Sequence, residues 1–286
     1  MLMNQNIQEI IGQRYSCRFY NHEPIQKVHQ QELRKFLETL HTGPLGTHVR
    51  LELAAAEPEE RQSLKGLGTY GVIRNPAGFI IGTVEQAPGD LEDYGYVLEH
   101  AILTATGIGL GTCWLGGPIT KSSFAKKISL RDNETMPAVA AAGYIEERKG
   151  KDGEIINYRR PARLPSEQLF FADAFGSALI METAGEYSQP LEMVRIAPSA
   201  SNKQPWRIVR INNAWHFFLR RTRGYGKGTV LFRILRLADL QRVDMGIAMC
   251  HFELTARELG LNGVWVIDDP KIQMPGGTEY TATWKV

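Results

Sequence analysis

Cysteine is scarce in this chain, and the cysteines that are present lie far apart. There are three in 286 residues, namely Cys17, Cys113 and Cys250. An odd number of widely separated thiols does not make a disulfide framework, and no pair has the CxxC spacing of a zinc site. We therefore expect a reducing compartment, the cytoplasm, and no bound metal.

The chain also lacks a strong charge of one sign and a long apolar run. Lys and Arg total 33 against 31 Asp and Glu, a formal net charge of +2, which does not favour a nucleic-acid surface or a polybasic membrane surface. No apolar run approaches the roughly 20 residues of a membrane helix. The first residues, MLMNQNIQEI, lack the basic region, apolar stretch and cleavage site of a signal peptide. We expect neither a nucleic-acid partner nor membrane association.

What the chain does have is enough apolar sequence, 43% of its residues, to bury a sizeable core. Apolar stripes at helical spacing predict helices over 24–40, 90–106, 189–196 and 239–259. Alternating or β-rich segments predict strands over 48–56, 71–85, 112–117, 137–147, 206–211, 214–221 and 262–269. The polar, Pro- and Gly-rich stretch at 149–165 is typical of a linker or a wrapping arm.

Part of the sequence occurs twice. Residues 93–114 align without a gap with residues 244–265, and nine of the 22 positions are identical. The identical pairs include Asp93/Asp244, Gly95/Gly246, His100/His251 and Trp114/Trp265. Two unrelated amphipathic helices, each ended by a glycine, are the alternative. We favour an internal duplication, which predicts an α+β fold of two related halves, 1–157 and 158–286.

The glycine-rich segment GIGLG at 107–111 does not fit a dinucleotide site. A Rossmann fingerprint has a strand, then glycines, then a helix N-terminus whose N–H groups bind pyrophosphate. Here the predicted helix comes first and a strand follows, so the glycines form the C-cap of the helix. Because the carbonyl groups at a helix C-terminus repel phosphate, we expect no phosphate site here.

Two arginines and a serine alternate near the N-terminus, in RYSCRFY at 14–20. In an extended segment Arg14, Ser16 and Arg18 would share one face, and two guanidiniums beside a hydroxyl suit a phosphate. The intervening side chains would then face the core, namely Tyr15, Cys17 and Phe19. A solvated edge strand with two arginines is an equally good interpretation of the spacing alone.

A polar loop stiffened by prolines lies two-thirds of the way along the chain, APSASNKQPW at 197–206. Pro198 and Pro205 fix φ on both sides of it, which lowers the entropy lost when such a loop closes over a ligand. Trp206 is expected to pack in the core. The basic run that follows, FFLRRTRGYGKG at 217–228, either attracts anionic ligands or forms a solvated hairpin, and we favour the hairpin.

Together these motifs resemble those of the FMN-dependent nitroreductase family. RYSCRFY is similar to its N-terminal Arg-x-Ser-x-Arg phosphate motif, and APSASNKQPW is similar to its Pro-Ser-x-x-Asn-x-Gln-Pro-Trp loop. Three later segments resemble its helix end and strand, its closing strand and its basic tail, namely GIGLGTCWLGG at 107–117, AAGYIEE at 141–147 and YRRP at 158–161. The resemblance covers most of the chain in pieces and implies a nitroreductase-like α+β fold.

The two most specific motifs lie in different halves of the chain. In the family, one subunit of a homodimer supplies the arginine motif to each FMN, and the partner supplies the Pro-Ser loop. Here HTGPLGTHVRLEL at 41–53 stands where the first half would have its loop, and GSALIMETAGEY at 176–187 contains no Arg-x-Ser-x-Arg. The chain is therefore most similar to the single-chain subgroup in which two fused halves form an intramolecular pseudo-dimer, which implies a monomer with one flavin site.

The resemblance implies FMN as the cofactor. The arginine motif would hold the phosphate with charge added by the basic tail, the strand end would lie near the reactive edge of the flavin, and the Pro-Ser loop would contact its pyrimidine edge and ribityl chain. The expected cofactor-binding residues are Arg14, Tyr15, Ser16, Arg18, Leu115, Gly116, Gly117, Arg159, Arg160, Pro198, Ser199, Ala200, Ser201, Asn202 and Gln204.

The function implied by the resemblance is an FMN-dependent oxidoreductase. NAD(P)H would reduce the flavin, and a nitroaromatic, a quinone or a similar small molecule would reoxidise it. No side chain is expected to act as a catalytic residue because the flavin carries the chemistry, and His100, His251 and Cys113 are interpreted as structural. The alternatives are a flavin-binding protein without significant turnover, such as a sensor or storage module, and a scaffold that binds no flavin.

Overall fold

The computed structural model describes residues 6–55, 73–117, 123–147 and 161–286, the last range without residues 228, 230, 231, 233, 235 and 236. The chain divides into two compact units. The first comprises Met1–His41, His48–Gln86 and Leu98–Pro161, and the second comprises Thr42–Thr47, Ala87–Val97 and Ala162–Val286. Two short segments of the N-terminal half therefore belong to the second unit. The boundary between 157 and 158 that the repeat suggests stays a prediction.

The described residues of the N-terminal half include the helices α1 (Ile7–Gln13), α2 (Lys27–Leu37), α3 (Asp90–Gly107) and α4 (Ser123–Lys127). The Asn6 side chain caps α1 by accepting a hydrogen bond from the Glu9 N–H at 2.7 Å. The helix predicted over 24–40 is shorter in the structure, because the backbone before Lys27 is extended and Pro24 stays outside the helix. Val28, in the first turn of α2, is 58% exposed.

Five strands form the sheet of the first unit: β1 (Val49–Ala55), β2 (Gly78–Glu85), β3 (Gly111–Gly116), β4 (Glu134–Thr135) and β5 (Ala138–Gly143). Their order is β1-β2-β5-β3, with β4 paired to β2, and every pair is antiparallel. The strand predicted over 137–147 ends at Gly143. β5 is buried at every residue, and Phe79 of β2 packs edge-on against Phe124 of α4 in the core below.

The second unit contains α5 (Ser188–Arg195), α6 (Leu240–Glu258) and a second sheet. Its strands are β6 (Phe170–Ala172), β7 (Trp206–Ile211), β8 (Ala214–Arg220), β9 (Val264–Val266) and β10 (Thr278–Lys285), in the order β6-β7-β8-β10-β9. β6 is parallel to β7, and the other pairs are antiparallel. The strands predicted over 206–211 and 214–221 are confirmed as β7 and β8, which a turn at Asn212-Asn213 joins, whereas β6 and β10 were not among the predicted strands.

One face of the second sheet packs on α6. The rings of Trp215 and Phe217 lie 6.1 and 5.3 Å, centroid to centroid, from the ring of Phe252. Because successive strand residues point to opposite faces, Phe218 and Arg220 of the same strand lie on the other face. None of the helices in the described part of the chain combines the length and the apolar character that a bilayer crossing requires.

The two repeated helices end in the same way. α3 is followed by Gly109 at φ 85° and α6 by Gly260 at φ 75°. In each case the next N–H bonds back into the last turn over 2.9 Å, Leu110 to the Ala105 carbonyl and Leu261 to the Ala256 carbonyl. The glycines of GIGLG thus cap a helix C-terminus, as predicted.

Within the second unit, the start of α3 crosses α6 at two equivalent glycines. A methyl group built on Gly95 would overlap the carbonyl of Val243, and one built on Gly246 would overlap the carbonyl of Glu92. The repeat pairs position 95 with 246 and position 92 with 243, so the two contacts are reciprocal. Such reciprocity is the property of two equivalent segments that meet about a local two-fold axis.

Candidate functional site

The arginine motif lies beside β3 in the first unit. Ser16 forms a parallel bridge with Thr112, and the Cys17 N–H donates to the Thr112 carbonyl at 2.8 Å. The motif therefore runs along the strand that ends at Gly116 and is followed by Gly117. Two of the segments that the sequence assigned to one site are neighbours in the structure.

The alternation predicted for this motif does not hold. The Cys17 N–H also donates to the Tyr15 carbonyl at 2.9 Å, which closes a tight turn centred on Ser16. Arg14 is consequently buried, with 7% of its surface exposed, whereas Arg18 is exposed. Of the three intervening side chains expected in the core, only Cys17 is buried. The motif is a turn and not a flat strand with three polar residues on one face.

Both guanidiniums of the motif act on the same neighbour. Burial raises the pKa of the Cys113 thiol, and the charges of Arg18 and Arg14, with a hydrogen bond from Arg18, oppose the rise. The Arg14 Nε also lies 3.7 Å from a carboxylate oxygen of buried Glu99. Glu99 thus offsets part of the Arg14 charge, and Arg18 presents its charge toward solvent.

The end of β3 has little side-chain bulk. The side chain of Leu115 is buried in the core, so only its backbone is available to a ligand. Gly117 has φ 129°, a conformation that favours glycine. The strand therefore ends in backbone that a flat ligand can approach closely. The predicted contributors Arg159 and Arg160 lie outside the described residues.

The Pro-Ser loop in the second unit has an unusual backbone. Ala200–Asn202 form a single 3-10 turn, and Ser201, Asn202 and Gln204 all have positive φ, at 50°, 55° and 47°. Positive φ is uncommon for residues with a side chain and persists only where the surroundings hold it. A cluster of such residues indicates a loop fixed in one shape.

The polar side chains of the loop supply much of that fixation. The Gln204 amide accepts from the Leu164 N–H at 2.7 Å and donates to the Asn202 carbonyl at 3.0 Å. The Asn202 amide donates to the Ala162 carbonyl at 2.8 Å and accepts from the Arg163 guanidinium. Both amides therefore bind the chain at 162–164, and Gln204 has only 4% of its surface exposed.

The outer edge of the loop is formed by residues that remain accessible. Ser201 is exposed and donates its hydroxyl to the Tyr225 hydroxyl at 3.3 Å. The ammonium group of Lys203 lies 5.5 Å from the centre of the Tyr225 ring. Trp206, in contrast, is fully buried, as predicted.

Asp244 of α6 binds the backbone of the Pro-Ser loop. Its Oδ1 accepts from the Ala200 N–H at 2.9 Å, while its buried Oδ2 has no hydrogen-bond donor among the described residues. The repeat pairs Asp244 with Asp93, whose two oxygens accept from the Leu45 and Thr47 N–H groups at 2.8 and 2.7 Å. Residues 42–47 thus take the place of the Pro-Ser loop at the first copy, as the sequence comparison of the two halves suggested.

Burial explains the protonation behaviour of these groups. It raises the pKa of Asp244 well above its usual range and raises the pKa of Asp93, in each case against the backbone N–H donors. It lowers the pKa of His100 to about 4. The other repeated histidine, His251, is buried, and its Nδ1 lies 3.0 Å from the Met193 carbonyl oxygen.

Sequence reasoning missed two residues that shape the loop. Asp244 could have been found, because the repeat already paired it with Asp93. Arg163, which binds the Asn202 side chain and donates to the Ile196 carbonyl at 3.0 Å, carried no such signal. It lies in the stretch at 149–165, for which the sequence favours a linker or a wrapping arm.

Comparison with known proteins gives one family and a set of similar structures. The family model described as "Putative TM nitroreductase" matches residues 6–256. A "putative nitroreductase" from Thermotoga maritima MSB8 superposes with a TM-score of 0.60 at 22% identity, over 98% of this chain and 94% of that one. This likeness shows a nitroreductase-like fold.

Two further structures match about half of the chain. A nitroreductase from Desulfovibrio desulfuricans in complex with FMN has a TM-score of 0.41 at 22% identity, over 55% of this chain and 93% of its own. A nitroreductase family protein from Clostridium difficile 630 has a TM-score of 0.40 at 22% identity, over 50% and 87%. Among curated proteins there is no match.

Proposed function

Because the chain belongs to the family described as "Putative TM nitroreductase", and is thus an oxidoreductase by family, we propose that it is an FMN-dependent enzyme of the nitroreductase type. Bound FMN would supply the redox chemistry, which is hydride transfer from NAD(P)H to a nitroaromatic, a quinone or a similar acceptor. The observation that carries this proposal is the arginine motif beside β3, where two guanidiniums act on Cys113, three residues before the glycine that ends the strand.

The phosphate of the cofactor fits the arginine motif. The exposed Arg18 offers a planar fork of N–H donors, which suits a phosphate. Arg14 is held in place by Glu99 and adds positive charge from beneath. Ser16 sits at the turn between them, and Tyr15 follows Arg14 at the same turn. Charge from Arg159 and Arg160 remains a prediction from the resemblance.

The flat ring of the cofactor fits the end of β3. With no Cβ at Gly116 or Gly117, backbone N–H groups can approach the reactive edge of the ring. The buried side chain of Leu115 anchors the strand beside them. We propose that these three residues bind the flavin ring and orient it.

The Pro-Ser loop is proposed to bind the pyrimidine edge and ribityl chain. Pro198, Ser199, Ala200 and Ser201 offer backbone and hydroxyl groups for this role. The amides of Asn202 and Gln204 serve it by holding the loop in shape, which lowers the entropy lost on binding.

Each of the two motifs occurs once in the sequence, so we propose one FMN per chain, bound by both. The chain is proposed to act as a monomer in the cytoplasm, in which the two halves take the part of two subunits. No side chain is assigned a catalytic role. Substrate binding over an open, flat ring requires only that the protein orient donor and acceptor in turn.

The proposal is tested with the purified full chain. We expect flavin absorbance that copurifies or returns when FMN is added, bleaching by NADH or NADPH without oxygen, and recovery of colour on adding a nitroaromatic or a quinone. A chain that neither binds FMN nor gains melting temperature from it would overturn the assignment. Bound FMN that neither nicotinamide reduces would point instead to a flavin-binding protein without turnover.

A further inference from the structure

The face of the second sheet that points away from α6 carries a pocket that the proposed flavin chemistry does not use. Its volume is about 400 Å³, near the lower end for small-molecule sites. It lies where β6, β7, β8 and β10 come together. The residues that line it are Glu167, Gln168, Phe171, Phe175, Gly176, Arg207, Arg220, Pro275 and Thr278.

Two arginines face each other in this pocket. Arg207 pairs across the strands with Phe218, and Arg220 follows two residues later on the same face of β8. Burial, together with the positive charge of Arg220, lowers the pKa of Arg207 to about 10. The two guanidiniums are therefore close enough to repel each other.

Neither charge is neutralised within the described part of the chain. The Arg207 Nη1 donates to the Gln204 and Trp206 carbonyls at 3.0 and 2.6 Å, and the Arg220 Nη1 donates to the Thr278 hydroxyl at 3.1 Å. These bonds leave Nε–H and Nη2–H donors on both arginines, and no ion pair among the described residues involves either one. Glu167, the one acidic residue of the lining, is exposed at the rim.

Phenylalanine rings form the opposite part of the lining. The Phe175 ring lies 5.5 Å from the Phe171 ring and 5.1 Å from the Phe218 ring, centroid to centroid. Phe171 and Phe175 are only half-buried, so part of each ring faces the pocket. A ligand that reaches the arginines therefore lies against aromatic surface.

A half-buried like-charge pair without a counter-ion is unfavourable in the absence of an anion. A carboxylate matches the planar guanidinium fork and can accept two parallel hydrogen bonds. A ring attached to it would pack on the phenylalanines at the separations favoured by aromatic pairs. We propose that this pocket binds a small aromatic carboxylate, with its charge on Arg207 and Arg220 and its ring against Phe171 and Phe175.

The basic run at 217–228 supplies one of the two arginines of this pocket. From sequence it was either a solvated hairpin or an attractor of anions. Arg221 of that run pairs with Asp239 and Glu279 at 2.7 and 2.8 Å, whereas its neighbour Arg220 points into the pocket without a carboxylate. The anion site therefore uses one arginine of the run.

Binding is measured by calorimetry on the full chain with benzoate, benzamide and acetate as probes. Benzamide keeps the ring without the charge, and acetate keeps the charge without the ring. We expect benzoate to bind more tightly than both. Arg220→Gln should weaken benzoate roughly tenfold or more, as expected for a charge-assisted hydrogen bond. Arg210→Gln removes a guanidinium from the other face of β7 and should leave benzoate affinity unchanged.

The flavin site and this pocket are separated by running the titration with and without FMN. We expect the same benzoate affinity in both, with no change in flavin absorbance. Benzoate that binds only to the FMN-loaded chain, or equally to Arg220→Gln and the parent, would overturn the proposal, as would equal affinities for benzoate and benzamide. If Arg220→Gln does not fold, Phe175→Leu replaces it, with a several-fold loss expected for benzoate but not for acetate.

Discussion

Gly246 of α6 lies against the backbone carbonyl of Glu92 so closely that no side chain fits between them. The contact is matched by Gly95 against Val243. Glycine is otherwise unfavourable inside a helix, since it loses more backbone freedom on folding than alanine does. The close packing of the two helix backbones, which only glycine permits, offsets this loss of backbone freedom.

We expect Gly246→Ala to destabilise the protein by about 3 kcal/mol or more, at or beyond the upper end of overpacking effects, because the added methyl group meets backbone that cannot turn away. Urea unfolding measures the loss. Gly12→Ala is the matched control, since it lies in α1 with open space around its Cα, and it should gain up to about 1 kcal/mol from helix propensity. Equal stabilities for the two variants would contradict the close crossing.

The proposed single flavin site predicts a shared effect of two substitutions that lie far apart in the sequence. Arg18→Ala and Asn202→Ala should each raise the Kd for FMN, roughly tenfold to a hundredfold for the lost charge-assisted contact at Arg18, and less for the loop change at Asn202. Fluorescence titration should still give one FMN per chain in both variants. Arg34→Ala, on the exposed side of α2, is the control. Two sites, each abolished by a different substitution, would rule the arrangement out.

The two repeated aspartates are expected to respond differently to the same change. In Asp93→Asn, the new amide group turns a donor toward either the Leu45 or the Thr47 N–H, so about 1–3 kcal/mol of stability should be lost. In Asp244→Asn, the Oδ1 acceptor for Ala200 is kept, and the amide replaces an oxygen that accepts no hydrogen bond among the described residues. We expect its stability to stay within about 0.5 kcal/mol of the parent below about pH 4, where the parent's Asp244 carboxyl is uncharged in both the folded and the unfolded chain.

The difference in unfolding free energy between Asp244→Asn and the parent should depend on pH with a defined sign. Burial raises the pKa of Asp244 in the folded chain, so the stability that its neutral carboxyl allows is fully present below the unfolded pKa of about 3.9 and is lost as pH rises from there to the folded pKa. Asp244→Asn, which does not ionise at this position, should therefore gain stability relative to the parent as pH rises above about 4. Thermal melts across the pH range test this, and a relative loss there would contradict it.

A second pH effect of opposite sign arises at β4. Arg50 donates to both oxygens of buried Glu134, at 2.8 and 2.7 Å, and holds the pKa of that carboxyl at about 2. The stabilisation is fully present above the unfolded pKa of about 4.3 and is lost as pH falls toward 2. Glu134→Gln should therefore be less stable than the parent by roughly 2 kcal/mol at pH 7, with the difference shrinking as the medium is acidified.

Glu52→Gln is the control for that measurement. Glu52 faces the same arginine at 3.8 Å, but its side chain is 51% exposed. Exposed pairs contribute little, so its unfolding free energy should follow the parent at every pH. A Glu134→Gln variant with the same pH profile as the parent would show that the buried pair does not stabilise the fold.

The long helices could be predicted from sequence almost to the residue. The apolar runs of α3 and α6 are long. Gly109 and Gly260 end these helices as positive-φ C-cap glycines, which depend on local backbone conformation more than on tertiary contacts. β10 escaped prediction because its pairing with β8 shifts between Tyr280 and Ala282. That bulge breaks the alternation on which a strand is recognised and leaves Ala282, Thr283 and Trp284 buried in succession.

The cofactor-binding residues stay a prediction, and the local geometry around them could not be foreseen. The residue types around Arg18 suit a phosphate, yet the turn at Ser16 contains neither glycine nor proline and has no local signal. The hydrogen bonds of the Asn202 and Gln204 amides to chain segment 162–164 also have no signal in the loop sequence. Contacts between segments 40 residues apart cannot be read from the loop alone.

The reciprocal glycines also bear on how this protein can change. Where two identical chains cross, one mutation alters both contacts at once, so every change must be tolerated twice. Gly95 and Gly246 are encoded by separate codons of one gene. A mutation can therefore change one of the two helix contacts and leave the other as it is. Asp93 and Asp244 already differ in their hydrogen bonds, which is an asymmetry that such independence permits. One repeated segment can therefore acquire a specialised role while the other keeps a structural one.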